Sequence, residues 1–189
     1  MSRKTINHKA LAGASKGADL AMEAFDRTDL AHVPTQHKKA WAMAAIIHCD
    51  MCRLVIALDE CEPGSASLLT MLDVISKLYE AKNWFTKVGA KELRAIAAAK
   101  SRDRTCVETV LKNLKSKHRI ADIDRYAAYR NKIGYHYDPE ALDLLLRFGQ
   151  EDSEAFYDML LRFVRFSHDW AELTKKVLQE HEREASVSR

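Results

Sequence analysis

The residues best suited to chemistry gather in one short stretch, DRYAAYRNKIGYHYDPEA, residues 124–141. Arg130 and His136 stand six positions apart, Asn131 follows the arginine, and Tyr129, Tyr135 and Tyr137 surround them. A histidine titrates near neutral pH, so it can remove or deliver a proton. An arginine stays charged and offers planar, forked donors to an anion. On one unbroken helix, residues six apart differ by about 240° and diverge. Gly134 can end the helix in a left-handed conformation. Asp138, Pro139 and Glu140 then suit the next helix as cap, first residue and dipole partner. Such a break lets His136 fold back toward Arg130. The same residues also suit an ordinary helix end, where Arg130 and Lys132 complement the last carbonyls. The stretch alone leaves both readings open.

The elements that must position these residues read as helices. Nine glycines and prolines in 189 residues are few, and 47% of the chain is hydrophobic against 30% charged. That composition predicts one helical domain over residues 1–189, with its core at about 5–183 and a frayed tail at 184–189. Helices are expected at 6–25 and 37–60. The second has two apolar stripes, Ile47, Met51, Leu54 and Leu58 beside Ala45, Cys49, Cys52 and Ile56, and should be central. A third helix, capped by Ser65 or Ser67, carries Leu68, Leu72, Ile75, Tyr79 and Phe85 and is expected to end near Gly89. KELRAIAAAK and CVETVLKNLKSK are helix-forming, with a break at SRDRT between them. A fifth helix is expected at 121–132, a short one at 139–148, and a long final one from Ser153. That last helix repeats Phe156, Met159, Phe163, Phe166, Trp170, Leu173 and Val177 at a period near 3.6. No segment alternates at period two. The prediction is an all-α, antiparallel helical bundle of about five to seven helices.

Charge and cysteine usage narrow the function classes. The net charge of +3 does not by itself imply nucleic acid. Residues 100–119 hold seven Lys or Arg against two acids, a local excess above that of the whole chain. Lys115, Lys117 and Arg119 close this segment, just before the Arg130 region. It reads either as a solvated face or as a phosphate-binding surface. Four potential metal ligands, His48, Cys49, Cys52 and Cys61, fall within 14 residues. On a helix, Cys49 and Cys52 join the buried stripe while His48 points elsewhere, so no metal site and no cofactor is expected. The mixed N-terminus does not suit a signal peptide, and no unbroken run of ~18 apolar residues occurs. The expectation is a cytoplasmic protein without membrane attachment and with reduced cysteines.

The stretch YRNKIGYHYD resembles the R-x(4–6)-H signature of the HEPN superfamily, small all-helical domains common in bacterial toxin–antitoxin and antiviral systems. Arg130, five intervening residues and His136 carry the match, and Asn131 fits the polar residue that often follows the arginine. The wording is nearest the toxin and abortive-infection branches. Asp138 stands where a nucleotide-modified branch has a tyrosine, so modification of that type is not implied. The resemblance implies a metal-independent endoribonuclease in which the RNA 2′-hydroxyl attacks its own phosphodiester. Arg130, His136 and Asn131 would be catalytic. Lys132, Tyr135 and Tyr137 would contact RNA, together with Lys115, Lys117 and Arg119. RNA, a second copy of the chain in a homodimer, and an antitoxin protein are the implied partners. The family also contains non-catalytic helical modules that bind nucleotide, RNA or a partner protein, which is the alternative.

Overall fold

The apolar stripe of residues 156–177 supplies the inner face of the longest helix. The computed structural model describes residues 3–99, 104–133, 143 and 153–187. In chain order the elements are α1 (Arg3–Glu23), a 3-10 turn (Thr28–Leu30), α2 (Thr35–Glu60) and α3 (Ser65–Asn83). A π-helical turn (Trp84–Gly89), α4 (Ala90–Ala99) and α5 (Arg104–Lys117) follow. A 3-10 segment (Ile120–Tyr126), α6 (Ala127–Ile133) and α7 (Ser153–Val187) complete the described chain. The fold is an all-α helical bundle, with no strand among the described residues.

α2 is the central helix, in agreement with its two apolar faces. Against α1 it runs antiparallel: Asn7 and His8 bond to Asp59 and Glu60 at one end. At the other end Ala21 and Ala24 pack with Trp41. Against α7 it is antiparallel too, with Tyr157 donating to Asp59 at 3.1 Å and His48 meeting Ser167 at 3.0 Å. By length and hydropathy α2 could cross a membrane, with a mean hydropathy of 1.6 in its most apolar window. In this bundle Met51, Leu54 and Val55 instead belong to the main core cluster shared with α3 and α7.

Phe156, Met159, Phe163, Phe166 and Trp170 are all buried along α7. Phe85 sits among them, with ring centroids 5.2 Å from Phe166 and 5.1 Å from Trp170. Aromatic groups of this size dominate core energetics, and their tilted, edge-on contacts add to burial.

Several expected boundaries move. α2 begins at Thr35, directly after Pro34, rather than at 37. The third helix does not end at Gly89: the chain passes through the π turn and continues into α4. Gly89 is a packing glycine, since a Cβ there would lie 2.9 Å from Trp84 Cζ3 and 3.3 Å from Trp170 Cζ2. Neither serine is the N-cap of α3. Gly64 holds that position at φ 117°, a backbone suited to glycine, and Ser67 Oγ donates to the Gly64 carbonyl at 2.9 Å. The helix expected at 121–132 is a 3-10 segment followed by α6. Of the helix expected at 139–148, residue 143 alone is among the described residues, and it is helical.

Candidate functional site

α6 is placed by what precedes it. Arg119 adopts a left-handed backbone (φ 49°) and turns the chain off the end of α5. Buried Ile120 and Ile123 then pin the 3-10 segment to the core. Tyr126 packs edge-on to Phe156, with centroids 5.3 Å apart. These contacts seat α6 against α3.

From α6 the side chain of Arg130 reaches back to α3. Its Nη2 donates to Glu80 Oε1 at 2.7 Å, and its guanidinium carbon lies 5.5 Å from the centre of the Tyr79 ring. Guanidinium groups are attracted to the negative face of such rings. Beside them Lys82 Nζ meets Asp124 Oδ1 at 2.6 Å. Burial pushes the Tyr79 phenol up to about 12, with Asp124 adding to the shift and Arg130 opposing it. The Tyr79 hydroxyl oxygen is buried and has no hydrogen-bond partner among the described residues. The phenol therefore stays neutral and serves as a flat support for the cation. Both cations thus lie near the Tyr79 ring, each paired with its own carboxylate. Arg130 remains 27% exposed, and its partner Glu80 is 58% exposed. An anion from solution can compete for the guanidinium there.

The other residues singled out in the sequence fall as follows. Asn131 and Lys132 are on α6, but their side chains lie outside the described residues, as do Gly134, Tyr135, His136 and Tyr137. The expected convergence of His136 on Arg130 therefore also lies outside them. Lys117 Nζ pairs with Asp169 Oδ2 at 2.8 Å, and buried His118 meets the same oxygen at 2.9 Å. Arg119 Nε is 3.3 Å from Asp122 Oδ2, which Arg162 also reaches at 3.1 Å. Lys115 is half-buried near the end of α5. Within the basic segment, then, Lys117 and Arg119 are countered by acids from α7 and the 3-10 segment. The local sequence excess is not an unbalanced patch at those two positions.

Two grooves flank α2. One, of about 490 Å³, lies between α1, α2 and α7 and is lined by Gly13, Gly17, Trp41, His48, Cys52 and His168 among others. Burial, followed by the charge of His168, pushes the His48 imidazole down to about 4. Cys52 is buried, whereas Cys49 is half-buried and lines the second groove instead of sharing the core stripe. This second groove, of about 830 Å³ between α1, α2 and α3, has Met43, Ile46, Glu80 and Trp84 among its lining residues.

Sequence reasoning missed Tyr79 and Glu80. They lie about 50 residues before Arg130, and YEAK reads as an ordinary helix face, so only the packing of α6 on α3 reveals them. No family model, curated protein or solved structure matches the chain.

Proposed function

We propose that the chain is a HEPN-like, metal-independent endoribonuclease of a bacterial toxin–antitoxin or antiviral defence system. The observation that carries the reading is Arg130 itself: an arginine held at the protein surface by a tyrosine face and an exposed carboxylate, six residues before a histidine. In this reading His136 removes the 2′-hydroxyl proton of the RNA. The freed oxygen attacks the adjacent phosphorus, the bond to the 5′-oxygen breaks, and that oxygen leaves with a proton. Arg130 binds the phosphoryl oxygens and offsets the charge that builds on them. Asn131 supplies a further donor. The products are a 2′,3′-cyclic phosphate and a 5′-hydroxyl. Lys132, Tyr135 and Tyr137 line the RNA path, with Lys115, Lys117 and Arg119 contributing to it. Two copies of the chain face each other across the motif in the cytoplasm, and an antitoxin protein restrains them.

The test is cleavage of RNA in the presence of EDTA by the wild type, Arg130→Ala and His136→Ala. Removing a positioned acid–base group costs roughly 10²–10⁴-fold in rate and removing a donor to the developing charge roughly 10²–10³-fold, so each variant should lose at least about 10²-fold. DNA of the same sequence should survive, because it lacks the attacking hydroxyl. Equal activity in all three proteins would sink the proposal. Binding of RNA without cleavage by the wild type would favour the non-catalytic module.

A further inference from the structure

We propose that Glu80 is a displaceable counter-ion that occupies, on Arg130, the place an RNA phosphodiester takes; this rests on the reading of Arg130 as the phosphate-binding residue. Two neighbouring residues of α3 act on the same guanidinium in different ways. Tyr79 lies against it, at 5.5 Å from ring centre to guanidinium carbon. Glu80 takes one of its donors, at 2.7 Å from Nη2. A ring supports the cation without using its donors or its charge, so it can stay in place when an anion arrives. A carboxylate uses both. It presents an acceptor oxygen and a negative charge to the donors that a phosphate oxygen needs.

The surroundings leave Glu80 free to move aside. Its side chain is 58% exposed, so it returns to water without a desolvation cost. The nearby lysines do not hold it: Lys77 approaches Asp50 at 3.8 Å and Lys82 is paired with Asp124 at 2.6 Å. A phosphodiester brought to Arg130 while Glu80 stays at hydrogen-bond distance would place two anions on one cation. Exchange avoids that. Ion pairs this exposed are worth at most ~1 kcal/mol, so the competition weakens phosphate binding by up to about fivefold. Glu80 therefore positions and moderates Arg130, and is not itself in the reaction.

The decisive variant is Glu80→Gln. The amide oxygen can still accept from Arg130 Nη2, which preserves the geometry, but the competing charge is gone. The substitution is on an exposed side chain and leaves the fold intact. Binding is read by fluorescence anisotropy with a short fluorescein-labelled 2′-O-methyl RNA, whose blocked oxygen cannot attack. Glu80→Gln should tighten binding by about two- to fivefold at low salt, with the gain shrinking as salt screens the pair. The gain should vanish in an Arg130→Gln background. Glu23→Gln, an equally charged change on α1, should give no such gain. Unchanged or weaker binding by Glu80→Gln, with Arg130→Gln itself impaired, overturns the proposal and leaves the phosphate-site reading standing. An equal gain from Glu23→Gln overturns it as a general charge effect. Unimpaired binding by Arg130→Gln overturns both readings.

Discussion

Acid should weaken this bundle through His48, and the amount can be worked out. His48 sits between α2 and α7, with Nδ1 3.0 Å from Ser167 Oγ. The Ser167 hydroxyl also lies 2.9 Å from the Val164 carbonyl, to which it donates, and a histidine donating at Nδ1 satisfies both contacts. Its Nε2 faces the Cys52 thiol at 3.9 Å, and the His168 ring lies 5.2 Å away. A proton on Nε2 would put a charge among these groups. Burial first, and His168 second, hold the imidazole down from 6.5 to about 4. The folded value is below the unfolded one, so between these two pH values the unfolded chain binds more protons. Stability therefore falls as pH falls through that window. At ~1.36 kcal/mol per unit, the drop from pH 7 to 4.5 amounts to about 2 kcal/mol from this residue alone. The assay is urea unfolding at both pH values for the wild type and His48→Gln, which keeps a donor for Ser167 and cannot titrate. Carboxylates contribute equally to both proteins and cancel. The wild type should lose about 2 kcal/mol more than the variant on acidification. Identical pH dependence would refute the reasoning, as would an NMR titration of His48 with a midpoint near the ordinary histidine value.

Glycines in the helices should respond with opposite signs. Gly13→Ala and Gly17→Ala should each stabilise by about 0.4–1 kcal/mol, because a Cβ there meets nothing within 4 Å and the helix gains propensity. Gly89→Ala should lower the thermal midpoint, because its Cβ would press on the Trp84 ring at 2.9 Å and overpacking costs ~1–3 kcal/mol. A higher midpoint for Gly89→Ala would mean that the indole yields without cost. Asp169→Ala should destabilise by about 1–3 kcal/mol in urea unfolding, since it strips buried His118 of its carboxylate partner. Burial raises the Asp169 pKa, but the hydrogen bonds from Lys117 and His118 outweigh it and the net shift is downward. This contribution is present above the ordinary aspartate range and is lost on acidification below it, so variant and wild type should converge in acid.

The architecture was legible where one physical constraint acts on every turn. Along α7 the 3.6-residue stripe has to face the core, and Phe156, Met159, Phe163, Phe166 and Trp170 do so. Boundaries were less legible because a glycine has more than one use. Pro63 and Gly64 are turn formers by residue type, and the Gly64 φ of 117° agrees. Gly89 looks the same in sequence, yet it is there for two indole rings, one of them 81 residues further along the chain. Local patterns do not contain that distant ring. The serines after Gly64 illustrate the same limit: both are good caps by type, and the backbone of Gly64 takes the position instead.

Electrostatics at the candidate site follow the same division. Counting charges from 100 to 119 finds an excess of cations, but Lys117 is countered by Asp169 of α7 and Arg119 by Asp122, beyond the segment. Arg130 and His136 could be picked out because proton transfer and anion binding need particular residue types, and types are visible in a sequence. The state in which the arginine is held depends on what packs against α6. Among the described residues that includes Tyr79 and Glu80 of α3, whose distance along the chain obeys no motif spacing. A short motif can therefore supply an inventory of reactive groups, while the fold decides which donors are already occupied. For Arg130 the carboxylate contact among the described residues is with Glu80, whose side chain is more than half exposed, and an ion pair this exposed is weak.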